Sequence, residues 1–196
     1  VFFRLATMHP VRQSLPTLAF ALALAAVLST MYWSGLHGGF AFDDWGSIVG
    51  NAALRPGGDA SHSWLAAFGS GIAGPLGRGL SMLSFAANYH FFGEDALSFK
   101  LVNLLIHYAN ALLTLVLVRQ TVRLMYPASD DRHTHAMAML VAGLWALHPM
   151  NALPVVYVVQ RMTSLAALFI LAGVSLYLYG RQAAKPHGYL AIAVSL

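Results

Sequence analysis

Two adjacent carboxylates, Asp43 and Asp44, are the first charged residues after a stretch of 30 residues, 13–42, that carries no charge. One carboxylate of such a pair could act as a general base toward a hydroxyl group, while the other orients that hydroxyl or holds a divalent cation. Alternatively, an aspartate that precedes a helix caps its free N–H groups, which explains one of the two residues more readily than both. The pair is the first candidate for catalytic chemistry.

Polar side chains also recur at helical spacing in two segments, 97–118 and 78–92. Polar groups inside apolar helices either bind neighbouring helices or line a wet cavity. In the first segment we expect Lys100 and Asn103 to line a site, and Asn110 and Thr114 to join helices. The second segment fits either a narrow cavity wall or a helix lying in the membrane interface. The two faces comprise Lys100, Asn103, His107, Asn110 and Thr114, and Arg78, Ser81, Ser84 and Asn88.

Arg161 interrupts two further charge-free stretches, 133–160 and 162–180, and stands next to Gln160. A guanidinium group at that depth could hold a phosphate through two parallel hydrogen bonds. It could equally extend to the lipid headgroups. His148 precedes a proline that ends one apolar segment, and its side chain could face the same cavity. Tyr157 and Ser164 complete this polar group.

The composition places these residues in a membrane protein. Of the residues, 58% are hydrophobic and only 9% are charged, whereas soluble domains carry about 25% charged residues. A membrane-spanning helix needs about 20 apolar residues. The sequence therefore predicts an all-α, polytopic transmembrane helix bundle forming a single domain over 1–196. We expect spans over 15–36, 97–118, 136–147, 155–179 and, incomplete, 188–196.

Several other classes of protein are excluded. The absence of cysteine rules out a disulfide scaffold. The net charge of +4 does not indicate nucleic-acid binding, because the basic residues lie at the ends of apolar stretches instead of on one face. A short cluster of acidic and histidine residues comprises Asp130, Asp131, His133 and His135. A solvated loop explains this cluster better than a metal site does, so no metal site is predicted there.

The distribution of basic residues predicts the orientation. With the N-terminus in the cytoplasm, seven of the eleven Lys and Arg residues lie inside, as the positive-inside rule requires. The first span is then a retained anchor, since no Ala-x-Ala cleavage site follows it. Residues 37–96 become a long extracytoplasmic loop. Short interfacial helices are expected in that loop near 44–53, 63–68 and 78–92.

Four segments in this order resemble the N-terminal membrane part of the GT-C glycosyltransferases: FDDWGSIVGN, GRGLSMLSFAANYHFFG, FKLVNLLIHYANALL and ALHPMNALPVVYVVQRMTSLAALFILAGVSLYLYGR. Within that superfamily the segments look like the transmembrane and tetratricopeptide-repeat O-mannosyltransferase-like proteins and their bacterial relatives. The resemblance covers about 40–181, which is most of the chain.

The resemblance implies a donor, an acceptor and a set of site residues. The donor would be a polyprenyl-phosphate sugar, and the acceptor a hydroxyl group of a protein or a glycan on the extracytoplasmic side. The family's catalytic acid corresponds to Asp43 or Asp44. Gly79 and Asn151 depart from the family's Arg-Pro-Leu and His-Pro-x-His motifs. Together with the polar faces described above, the resemblance makes Arg78, Lys100, Asn103, His148, Gln160 and Arg161 the candidates for donor-phosphate and substrate binding.

The same resemblance predicts that the sequence is the front part of a longer protein of the bacterial inner membrane. The isolated segment is then expected to be inactive, because relatives have more spans. The competing interpretation is a non-catalytic membrane scaffold or assembly subunit that retains the fold. A transporter is ranked last, since no internal repeat is visible. No cofactor is required by the sequence, although a divalent cation could bind the acidic pair.

Overall fold

The computed structural model describes residues 14–55, 63–72 and 77–182. Within these ranges all regular elements are helices, and the all-α prediction is confirmed. The α-helices are α1 (Ser14–Leu36), α2 (Trp64–Gly69), α3 (Gly79–Phe92), α4 (Ala96–Met125), α5 (Asp131–Ala146), α6 (Ala152–Val156) and α7 (Arg161–Gln182).

Three segments are long and apolar enough to cross a membrane: Leu15–Leu36, Ala96–Met125 and Val158–Gln182. A fourth candidate combines α5 with Pro149–Val156, two pieces that meet at a bend of 58°. The protein is therefore an integral membrane protein. The span expected at 188–196 lies outside the described residues.

The helix bounds differ from the expected spans where polar residues extend a helix or a break interrupts an apolar run. α5 begins at Asp131 instead of 136, because the side chain of Asp130 caps it by accepting the His133 N–H. The segment expected as one span over 155–179 is interrupted: α6 ends at Val156 and Tyr157 is extended. Hydrophobicity continues through that break, so the apolar pattern does not reveal it.

The long first loop contains the expected short helices. A π-helical turn, Trp45–Val49, and a 3₁₀ turn, Ala52–Leu54, precede α2 and α3. Gly77 and Arg78 both have left-handed backbones immediately before α3, and Gly93 with φ 68° ends it. These conformations favour glycine, so the loop changes direction sharply on both sides of α3.

Helix α4 lies at the centre of the bundle and packs against α1, α5, α6 and α7. The loop helices share a hydrophobic core with the beginnings of α4 and α7, in which Phe85 of α3 packs near Phe99 of α4 and Val158. The first loop therefore sits over one end of the bundle, where α4 and α7 begin. The candidate site residues of the loop and of the spans meet at that end.

Candidate functional site at the junction of the first loop and the helix bundle

The two adjacent aspartates occupy opposite environments. Asp44 is fully buried, and each of its carboxylate oxygens accepts a backbone hydrogen bond. Oδ2 accepts the Ala41 N–H at 3.0 Å, and Oδ1 accepts the Val159 N–H at 2.7 Å. Asp44 precedes the turn Trp45–Val49, but its side chain does not cap that turn. Its carboxylate instead holds the first residues of the Val158–Gln182 segment.

The pKa of Asp44 lies above its ordinary value, chiefly because burial disfavours the charged carboxylate. Hydrogen bonds from the Ala41 and Val159 backbones and the positive charge of Lys100 act in the opposite direction. Burial therefore disfavours the ionised form of Asp44, while these hydrogen bonds and Lys100 stabilise it.

Asp43, in contrast, is exposed. Its backbone N–H donates a 3.0 Å hydrogen bond to the hydroxyl oxygen of Tyr157, which lies in the extended break between α6 and α7. Of the adjacent pair, Asp43 is the carboxylate that faces solvent, where a substrate hydroxyl can reach it, and Tyr157 is its neighbour.

Lys100 is buried beneath this pair. Its Nζ donates to the carbonyl oxygen of Gly35 at 3.0 Å and to that of Gly38 at 2.7 Å, at the end of α1. A cation at the carboxyl end of one helix and a carboxylate at the amino end of another both complement the helix dipoles. Lys100 and Asp44 thus connect the end of α1 to the start of α7, and their opposite charges attract each other.

Arg161, the first residue of α7, is 0% exposed and the largest fully buried side chain among the described residues. Its guanidinium donates to four oxygen atoms of α3 and α4 at 3.1 Å or less and lies 4.6 Å from the ring centroid of Phe85. These acceptors are Asn103 Oδ1, Asn88 Oδ1 and the carbonyl oxygens of Ser84 and Phe99. Its hydrogen-bonding capacity is therefore directed at the protein.

Asn103 completes this network. Its Oδ1 accepts from Arg161, while its Nδ2 donates to the carbonyl oxygens of Tyr157 and Val158 at 3.3 Å. Unwound backbone inside a membrane protein needs such partners, because lipid offers none. Asn103 therefore satisfies the break that follows α6.

Arg78 lies at an open cavity of about 290 Å³ between the first loop and α7. Its side chain is exposed, and Nη1 lies 3.6 Å from the sulfur of Met162, the residue after Arg161. Apolar side chains form most of the cavity wall, among them Phe68, Leu80, Leu165 and Phe169. This arrangement offers a cation at the mouth of an apolar space.

The remaining candidates, His148 and Gln160, make their side-chain hydrogen bonds with near neighbours in the sequence. His148 is exposed, and its Nδ1 accepts the Met150 N–H within its own turn. Gln160 is half-buried, and its Oε1 accepts the hydroxyl of Thr163. In the described part of the chain, no group of three or more His, Cys, Asp or Glu side chains is arranged to hold a metal ion.

The structure thus brings Asp44, Lys100, Asn103 and Arg161 together in a buried network and leaves Asp43, Arg78 and His148 exposed. The polar face of α4 points inward: Asn110 donates to the Ser164 carbonyl of α7 at 3.0 Å and joins helices as expected. Thr114, expected to do the same, instead donates to the Asn110 carbonyl within α4. The sequence reasoning missed the backbone partners, above all Val159 N–H and the Phe99 carbonyl, which no side chain reveals.

Comparison with known proteins agrees with the resemblance seen in the sequence. The chain is 30% identical over 166 residues to human protein O-mannosyl-transferase TMTC4, which covers 80% of this chain and 22% of the relative. It is 32% identical over 162 residues to mouse TMTC1, covering 79% and 16%. Mouse TMTC3 is 27% identical over 154 residues, covering 76% and 16%.

The chain spans less than a quarter of the length of these curated relatives. No family model matches it. No solved structure matches it either. The predicted resemblance to O-mannosyltransferase-like membrane proteins is confirmed. The chain is a relative of the TMTC protein O-mannosyl-transferases, aligned with them over about four-fifths of its own length.

Proposed function

We propose that the full-length protein is a GT-C type glycosyltransferase that moves a sugar from a polyprenyl-phosphate donor to a hydroxyl group of a protein. The names of its relatives support mannose as the sugar and a protein as the acceptor. The observation that carries the proposal is the exposed Asp43 beside a buried network of opposite charges at the junction of the first loop and the bundle.

In the proposed reaction Asp43 takes the proton of the acceptor hydroxyl. The acceptor oxygen forms a bond to the anomeric carbon as the bond from that carbon to the phosphate oxygen breaks. The lipid phosphate leaves with the electron pair. Asp44 does not take the proton, because it is fully buried and backbone N–H groups hold both of its oxygens. It positions Asp43 through the shared turn.

The lipid phosphate binds at the exposed cation Arg78, whose cavity has apolar walls suited to the lipid chain. Arg161 and Lys100 contribute positive potential from beneath, since their own donors are directed at protein oxygens. His148 and Gln160 complete the proposed substrate site, whereas the fully buried Asn103 positions Arg161 and the break that follows α6.

The proposed site faces the extracytoplasmic side, with the N-terminus in the cytoplasm. The support is the excess of basic residues in the segments that this orientation places inside, seven of eleven in the sequence. In a bacterial cell the membrane would be the inner membrane.

The test uses the full-length protein in its native membrane, supplied with radiolabelled polyprenyl-phosphate mannose. Label is followed into protein and into polysaccharide for the wild type and for the Asp43→Asn and Asp44→Asn variants. Asp43→Asn is expected to reduce transfer by about 10²–10⁴-fold, the usual contribution of a general base. The exposed acid Glu94, which pairs with Arg55, provides the matched control Glu94→Gln, with transfer unchanged.

Undiminished transfer by Asp43→Asn would remove Asp43 from the role of base. Label in polysaccharide alone would replace the protein acceptor with a glycan. The absence of transfer by the wild type from any polyprenyl-phosphate sugar would favour the alternative, a non-catalytic scaffold. The complete occupation of Arg161 by protein oxygens is the observation that favours this alternative.

A further inference from the structure

Phe42, immediately before the acidic pair, has a left-handed backbone with φ 45°. This conformation is strained for a bulky residue and free of strain for glycine. The turn that imposes it is closed from both sides: Asp44 N–H donates to the Ala41 carbonyl, and Ala41 N–H donates to Asp44 Oδ2. A large aromatic side chain therefore occupies a position that the backbone would fill more favourably with glycine.

The turn separates neighbouring side chains. Asp44 is directed into the protein, whereas Asp43 and Phe42 are directed outward, and Phe42 is 85% exposed. The Phe42 ring meets the ring of Tyr157 edge to face, with centroids 6.1 Å apart. The hydroxyl of the same tyrosine accepts the Asp43 N–H. One side chain thus contacts both the Phe42 ring and the backbone of Asp43.

We propose that the Phe42 ring is the surface on which the sugar ring of the donor stacks during transfer, an inference that rests on the proposed function. An aromatic face carries negative charge density and attracts the partially positive C–H groups on one face of a pyranose. Stacking also removes the exposed apolar ring from water. The sugar would then lie next to Asp43, where its anomeric carbon meets the deprotonated acceptor.

The neighbours of Phe42 favour a sugar over a lipid chain as the occupant. The side chain of Asp43 is exposed beside it, and burying a carboxylate in hydrocarbon is strongly unfavourable. A pyranose presents C–H groups to the ring and hydroxyl groups to the carboxylate, so both neighbours find a suitable partner. Strained backbone at such a position is typical of functional sites, where the surrounding structure holds it in place.

The test measures kcat, and KM for polyprenyl-phosphate mannose and for the acceptor separately, in the full-length protein. Phe42→Leu keeps an apolar side chain without an aromatic face, Phe42→Gly removes the side chain and relieves the backbone, and Phe42→Tyr keeps the ring. We expect Phe42→Leu and Phe42→Gly to raise the donor KM by about tenfold, the equivalent of one aromatic contact, with the acceptor KM unchanged. Phe42→Tyr should remain close to the wild type.

Phe91, which is 72% exposed at the far end of α3, provides the control Phe91→Leu, with all parameters unchanged. Phe42→Gly should be folded, because glycine suits the left-handed turn, and its thermal unfolding is measured alongside. A Phe42→Leu variant with wild-type parameters, or a change confined to the acceptor KM, would overturn the stacking role while leaving the proposed function intact. No transfer by the wild type from any lipid-linked sugar would overturn both.

Discussion

Arg161 Nε donates a 2.8 Å hydrogen bond to Oδ1 of Asn103, and both side chains are fully buried. The bond joins the first residue of α7 to the central helix α4. The remaining guanidinium nitrogens bind α3 and the Phe99 carbonyl, so a single side chain fixes three helices. The buried guanidinium is held entirely by neutral oxygens. It therefore stabilises the packing of these three helices only while all of those oxygens remain in place.

Replacement of this arginine tests that dependence. Arg161→Gln should lower the free energy of unfolding by about 3–5 kcal/mol, because it leaves several buried acceptors without a donor. Chemical unfolding of the full-length protein in detergent micelles measures the change. Limited proteolysis should show faster cleavage in the first loop, which loses its anchor on α4.

The matched control for that experiment is Arg132→Gln, at an exposed arginine of α5, with a change of at most about 0.5 kcal/mol. An Arg161→Gln variant as stable as the control would mean that water or lipid replaces the guanidinium without loss. The structural role assigned to Arg161 would then be wrong.

Lys100 and Asp44 form the second buried charge relationship of the junction. Lys100→Met should destabilise the protein by about 3 kcal/mol, because Asp44 keeps a buried charge and loses its neighbouring cation. In a double-mutant cycle with Asp44→Asn, the two changes should couple by about 1–3 kcal/mol, as expected for residues in one network. Additivity within about 0.5 kcal/mol would show that the two charges act independently.

The sequence predicts the side chains of this network better than their partners. The spacing of Lys100, Asn103 and Asn110 places them on one helix face, and the structure buries all three. Both partners of Lys100 and two of the four partners of Arg161 are backbone carbonyls, and every residue carries one, so no residue type marks these four. The acceptors of a buried cation therefore become visible only in three dimensions.

The break at Tyr157 illustrates the same limit for the fold. An apolar run continues from α6 into α7, so hydropathy alone favours one uninterrupted span. Asn103 and Asp44 supply the hydrogen bonds that make an extended residue tolerable there, from elsewhere in the chain. Long-range polar contacts of this kind override the local preference for helix.

The raised pKa of Asp44 gives a pH dependence with a definite sign. Its folded pKa lies above the ordinary 3.8, so the folded protein holds the proton more tightly than the unfolded chain does. The corresponding stability is complete below 3.8 and is lost as the pH rises through the folded pKa. The free energy of unfolding of the wild type should therefore fall as the pH rises above 3.8 through the folded pKa, and this fall should be absent from Asp44→Asn.

Lys100→Met provides a second check on the same titration, because the lysine charge favours the ionised carboxylate. Its removal should raise the pKa of Asp44 further and move the loss of stability to higher pH. Infrared absorption of the protonated carboxyl group, absent from Asp44→Asn, follows the titration directly. A transition that does not move in Lys100→Met would contradict the assigned attraction.

Gly35 near the end of α1 allows a close approach between α1 and α6. A Cβ atom at Gly35 would lie 2.6 Å from Cγ1 of Val156, whose branched side chain has few alternative rotamers. Alanine favours a helix over glycine by about 1 kcal/mol, but overpacking typically costs about 1–3 kcal/mol. Gly35→Ala should therefore destabilise the protein by up to about 2 kcal/mol.

Gly39 provides the comparison for this prediction, since a Cβ atom there meets nothing within 4 Å, and Gly39→Ala should be nearly neutral. The Gly35 carbonyl also accepts from Lys100, so a shift of α1 would disturb the lysine and, through its charge, Asp44. Gly35→Ala should consequently reduce the transfer of label in the full-length protein, while Gly39→Ala should not. Equal transfer by both variants would show that the position of α1 does not affect the proposed site.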